Sequence, residues 1–114
     1  MRAPTENPGG AAALSALRLT VNNHPGVMSH ICGLFARRAF NLEGILCTPR
    51  PGGVTSRIWL LVLEDERLEQ VVRQVRKLQD VLEVLVFAAD GQAFGRMDSC
   101  MESLESDGPL RPSC

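Results

Sequence analysis

"SRIWLLVLEDERLEQVVRQVRKLQDVLEVLVFA", Ser56 to Ala88, holds the pattern that decides the architecture. Its centre, Glu64 to Gln79, places Leu68, Val71, Val72, Val75 and Leu78 at helical spacing. Acidic residues open that segment, Glu69 stands four residues before Arg73, and Arg76 and Lys77 close it, an order that suits the helix dipole and side-chain pairing. Before it, "SRIWLLVL" is apolar on both faces, as a central strand is. After it, "VLEVLVFA" reads as a further strand. The stretch is a strand–helix–strand unit.

The preceding residues repeat that order. "LRLTVN" alternates Leu17, Leu19 and Val21 against Arg18, Thr20 and Asn22, a strand with one apolar face. In "GVMSHICGLFARRA", Val27, Ile31, Leu34 and Phe35 recur at helical spacing, and Arg37 and Arg38 lie at the end that favours cations. "NLEGILCTP" is a strand stopped by the turn cluster "RPGG". The halves echo each other at a shift of about 40 residues, Ile31 with Val71, Phe35 with Val75 and Leu42 with Leu82. Two split units joined by a hairpin predict an α+β fold, the ferredoxin-like βαββαβ sandwich, with a four-stranded antiparallel sheet and two helices on one face. The expected organisation is a disordered tail over 1–15, the folded domain over 16–89 and a flexible tail over 90–114, where Gly, Ser, Pro and acidic residues dominate.

Such a sandwich has a second sheet face. Trp59, Leu61 and Leu63 point to one side of their strand, and Ile58, Leu60 and Val62 to the other. Two helices cover only one of these sides. A second copy of the chain, the tail or another protein must cover the other, so a partner is implied before any motif is considered.

Composition narrows the function. The 114 residues suit one domain, 45% are hydrophobic and 22% charged, and the 12 basic and 13 acidic side chains leave a net charge of −1. That balance gives no electrostatic reason to expect nucleic acid or an anionic membrane. No apolar run is long enough to span a bilayer, and the N-terminal segment lacks the apolar centre of a secretory signal, so a cytoplasmic protein is expected. The four cysteines, Cys32, Cys47, Cys100 and Cys114, have no metal-like spacing. Cys32 and Cys47 are expected to be buried reduced thiols.

The corner "NNHPGV", Asn22 to Val27, is the candidate site. A helix start leaves backbone N–H groups unpaired and partially positive, which attracts carboxylates and phosphates. The first helix is expected to begin near Pro25, with Asn23 or His24 as its cap. Gly26 lets a ligand approach the N–H groups of Gly26, Val27 and Met28, and Asn23 offers both a donor and an acceptor. Gly33, within the helix, and Gly44, within a strand, suggest close packing against a neighbour. Asn41, just after the helix, is placed to face that neighbour.

"VNNHPGVMSHICGLFARRAFNLEGILC", followed by "SRIWLLV" and "RLEQVVRQVRKLQDVLEV", resembles the small regulatory subunits of acetohydroxyacid synthase (acetolactate synthase), nearest to the valine-sensitive isozyme I type. The likeness runs from about Leu17 to Val86, while the N-terminal tail and the residues after about Ala88 depart from it. The resemblance implies an ACT domain, and a homodimer that holds valine or another branched-chain amino acid between its copies. It carries the ligand loop onto Asn23, Gly26, Val27 and Met28 of one chain, with Ser29 in the helix, and onto Asn41 of the other. Val27, Met28 and Ile45 are the expected apolar wall. No catalytic residue, metal or cofactor is implied on this chain. Thiamine diphosphate, Mg²⁺ and FAD are expected on the catalytic large subunit, which the chain would activate and place under valine feedback.

Other uses of the sandwich fit poorly. An acylphosphatase-like phosphate loop needs an arginine, which "NNHPGV" lacks. An RNA-recognition face needs aromatics on its central strands, where only Trp59 stands. A copper chaperone needs a cysteine pair at the corner. The remaining alternative is an amino-acid-sensing or dimerisation module serving another metabolic enzyme.

Overall fold

The computed structural model describes residues 14–89 and 92–110. Along the chain lie β1 (Leu14–Asn22), α1 (Val27–Arg37), β2 (Leu42–Pro49), β3 (Thr55–Leu63), α2 (Leu68–Arg76), β4 (Val81–Ala89) and α3 (Gln92–Ser106). The strands form one antiparallel sheet in the order β2-β3-β1-β4. This is the ferredoxin-like sandwich the sequence predicts, with one helix added.

Alternation in the strands builds the core. Leu17, Leu19 and Val21 from β1 and Ile58, Leu60 and Val62 from β3 are buried against α1 and α2. Those helices bring Ile31 and Phe35, and Val71 and Val75, onto the same face. At the end of α1, Ala39 adopts φ 59°, the Phe40 N–H reaches the Phe35 carbonyl at 3.0 Å and the Ala39 N–H reaches Ala36 at 3.0 Å. This left-handed cap satisfies carbonyls that the helix end leaves free. Arg67 then stacks 4.7 Å from the Phe40 ring centroid and donates to the Arg38 carbonyl at 2.7 Å, tying the start of α2 to the end of α1.

The internal echo fails at one pair. Between β1 and β4, Thr20 opposes Glu83 and Val21 opposes Val81, so Leu82 is the extra residue of a bulge and lies exposed. Its counterpart Leu42 packs against the core. A second bulge lies between β2 and β3, where Leu42 opposes Val62 and Gly44 opposes Leu61.

Three expectations need correcting. β1 begins at Leu14, so Leu14 and Ser15, expected in the N-terminal tail, pair with Leu63 and Val62, while residues 1–13 lie outside the described residues. The flexible tail expected over 90–114 contains α3, a helix of 15 residues. Phe94 of α3 seats its ring on Gly44, where an added Cβ would come within 2.7 Å of Cδ1. The tail therefore covers part of the second sheet face, and Gly44 serves both the bulge and this close approach. Finally, Cys47 is exposed, because β2 is an edge strand, and Cys32 on α1 is only partly buried; Cys114 lies outside the described residues.

Candidate functional site

The corner between β1 and α1 is tied down from two sides. Asn23 donates its backbone N–H to the Val54 carbonyl at 3.0 Å and its Nδ2 to the Gly53 carbonyl at 3.0 Å. The β2–β3 hairpin that supplies these acceptors is itself closed by Arg50 N–H to Thr55 at 2.8 Å, with Gly52 and Gly53 at positive φ. On the other side, the Asn22 N–H donates to the Asp80 carbonyl at 2.8 Å, and His24 Nε2 lies 2.7 Å from Asp80 Oδ1. His24 Nδ1 is 3.0 Å from the Pro25 carbonyl. That carbonyl, and after it the Asp80 carboxylate, raise the His24 pKa above 6.5. In turn, His24 and then Asn22 hold Asp80 below its ordinary value.

Within this frame α1 starts without a side-chain cap. Pro25 and Gly26 form a turn, Gly26 takes φ 91° and ψ −15°, and its carbonyl accepts the His30 N–H at 3.0 Å. The expected start near Pro25 and the expected cap at Asn23 or His24 are both corrected: Gly26 is the N-cap, and the side chains of Asn23 and His24 are drawn to Gly53 and Asp80. The positive φ is one that L residues adopt at a cost of about 1–2 kcal/mol, while space for a Cβ is open. The first-turn N–H groups are thus left for an acceptor from outside, beside the positive end of the helix dipole.

The structure brings together Asn23, Gly26, Val27, Met28 and Ser29. Asn23, Gly26 and Ser29 are exposed, while Met28 is partly buried against the core and Val27 is buried in it. Val27 therefore offers its N–H outward and its side chain inward. Asn41 is exposed beyond the far end of α1. Eleven residues of helix separate it from Gly26, about 16 Å at 1.5 Å per residue. Ile45 faces the α1 side of edge strand β2, opposite Leu60, and is 48% exposed. Among the described residues Gly33 has only Arg37 near its missing Cβ, at 3.7 Å, and no closer neighbour.

Asp80 is the member that sequence reasoning missed. It sits between α2 and β4, and only the β1–β4 pairing carries it to the corner. A cavity of about 150 Å³ lies behind the first turn of α1, bounded by Val27, His30, Leu78, Gln79, Asp80 and Val81. Among the described residues no group of three His, Cys, Asp or Glu side chains is placed to hold a metal ion. Nor, among them, is any helix long and apolar enough to cross a membrane.

The family described as the AHAS small subunit-like ACT domain matches residues 17–83, from β1 into β4. The chain belongs to that family. This ACT domain is 57% identical over 81 residues to the acetolactate synthase isozyme 1 small subunit of Escherichia coli (strain K12), covering 71% of this chain and 84% of that protein. The isozyme 3 small subunit of the same strain is 36% identical over 69 residues, covering 60% of this chain and 42% of the relative. Among solved structures, the acetolactate synthase small subunit from Thermotoga maritima is 34% identical with a TM-score of 0.58, over 64% of this chain and 46% of that one. The ACT domain of the GTP pyrophosphokinase of Chlorobium tepidum, 18% identical at a TM-score of 0.55 over 68% of this chain and 100% of that one, shares the fold.

Proposed function

We propose that this chain is the regulatory small subunit of a cytoplasmic acetolactate synthase in branched-chain amino acid biosynthesis. It docks on the catalytic large subunit, raises its activity and makes it sensitive to feedback inhibition by valine or another branched-chain amino acid. The observation that carries the reading is the uncapped start of α1, bared by Gly26 and held in place by Asn23 and His24. Backbone N–H groups at Gly26, Val27 and Met28 take the ligand carboxylate, as helix starts take anions. Asn23, fixed by one amide hydrogen, keeps its side-chain oxygen for the ligand ammonium.

A single chain does not complete the site, because Asn41 stands about 16 Å away along α1. A homodimer in which Asn41 of one copy meets the corner of the other does. Ile45, exposed on the α1 side of the edge strand, then supplies apolar contact for the isopropyl group. Thiamine diphosphate, Mg²⁺ and FAD belong to the catalytic partner and supply the condensation of 2-oxo acids there. The small subunit acts by linkage: valine binds one arrangement of the dimer better and draws the complex toward its less active state. A ligand that bound both states equally would inhibit nothing.

The test is acetolactate formation by a large subunit alone, with this chain, and with this chain and valine. The chain is expected to raise the rate and valine to reverse the increase. Gly26→Ala carries the backbone strain without the charge and is expected to keep valine inhibition. Gly26→Asp places a carboxylate where the ligand's must sit, so it should still activate while needing at least about tenfold more valine. No activation by the wild-type chain, or equal valine sensitivity in the two variants, would overturn the proposal.

A further inference from the structure

The open face of the sheet, opposite α1 and α2, has two unlike halves. Toward Leu14 it is apolar: Ala16, Leu46, Trp59 and Phe87 meet Phe94 and Met97 of α3 around a cavity of about 750 Å³. Trp59 and Phe87 stack with centroids 5.9 Å apart, and Phe87 remains 43% exposed. Further along the strands the face turns basic. Arg18 lies opposite Trp59, and Arg57 lies opposite Thr20 and Thr48. Glu83 meets Arg18 at 3.0 Å, whereas Arg57 has no ion pair among the described residues. The Nε atoms of both arginines are buried without a hydrogen-bond partner. Desolvation, and then the cations of Arg50 and Arg18, lower the Arg57 pKa, against the smaller opposing effect of Glu83.

The helix α3 carries the opposite pattern. At 3.6 residues per turn Phe94, Met97, Met101 and Leu104 fall on one stripe. Phe94 and Met97 use that stripe on the sheet, while Met101 and Leu104 are 60% and 63% exposed. Asp98, Glu102 and Glu105 line one flank of it, and none has an ion pair among the described residues. The single chain thus holds an apolar cavity edged by under-partnered arginines, and an apolar half-stripe edged by unpaired carboxylates.

We propose that the open sheet face of one copy receives α3 of a second copy. Met101 and Leu104 enter the apolar cavity, and Asp98, Glu102 and Glu105 stand against Arg18 and Arg57. Under a two-fold axis the exchange is reciprocal, so both half-stripes and both arginine clusters gain partners. This surface is separate from the β1–α1 corner, on the opposite side of the sheet from α1, and it operates without amino acid.

Sedimentation equilibrium of the full-length chain without valine tests the proposal. Met101→Glu combined with Leu104→Glu alters two exposed side chains, so the fold persists, as an unchanged circular dichroism spectrum will verify. The double variant is expected to sediment at half the wild-type mass, with self-association weakened by about 100-fold. Arg57→Glu should weaken it by about tenfold, and Gly26→Asp should leave the doubling in place. Equal masses for the wild type and the double variant would overturn the proposal, whether both are single or both paired. So would a face that engages only the catalytic large subunit, seen as wild-type but not double-variant binding to it. An Arg57→Glu chain that associates like wild type would overturn the electrostatic half.

Discussion

At Gly26 the backbone turns through φ 91° immediately before α1, and the same residue leaves its neighbours' N–H groups uncovered. Open space at this glycine was legible from "NNHPGV"; its backbone conformation and its place as N-cap were not, because the side chains of Asn23 and His24 have partners distant in sequence. His24 shows this most clearly. Its partner Asp80 is brought by β4, and no local pattern links the two. The pair makes a prediction about pH. With its pKa raised, His24 contributes stability that is full below 6.5 and fades as pH rises through the raised folded value. Asp80, with its pKa lowered, contributes above 3.8 and loses that contribution as pH falls through the lower folded value. The corner is therefore held best between these two values. In an NMR titration the His24 ring protons should show a midpoint above 6.5. Asp80→Asn should bring it only part of the way back, since the Pro25 carbonyl remains. A wild-type midpoint at or below 6.5 would contradict the hydrogen-bonded corner.

The strands and first two helices were readable because their apolar residues keep one period throughout. α2 is the clearest case, with Leu68, Val71, Val72 and Val75 all buried. Bulges were not readable, since they depend on how two strands pair, and the echo of Leu42 by Leu82 breaks for that reason. α3 was missed for a different one. Gly95, Ser99 and Ser103 interrupt good helix formers, and the stripe of Phe94, Met97, Met101 and Leu104 is sparse. What places this helix is a contact distant in sequence, Phe94 on Gly44. That contact is testable with Gly44→Val, whose side chain would occupy the seat of the ring. The variant should lose amide-exchange protection across α3, by about tenfold or more, while β1, β3 and α2 keep theirs. Unchanged protection of α3 would show that the ring is not its anchor.

In the whole molecule, two helices on one face of a small sheet leave the other in need of cover, which the sequence already required. α3 answers part of that need. Its exposed half and the arginines beside it put the remainder on a second copy. The proposed ligand corner lies at the start of α1, apart from this face, so the two proposals, ligand binding and α3 exchange, are separable by mutation. The family match fixes the module; the proposal is that the corner gives it a chemical means of sensing an amino acid, through backbone N–H groups with no competing side-chain cap. The most direct test of that claim follows the backbone amides of the isotope-labelled full-length chain as valine is added. Gly26, Val27 and Met28 are predicted to shift together and saturably, toward positions typical of amides bonded to a carboxylate, in Gly26→Ala but not in Gly26→Asp. Valine binding that leaves these three amides unmoved, or no saturable shift anywhere in the chain, would contradict it.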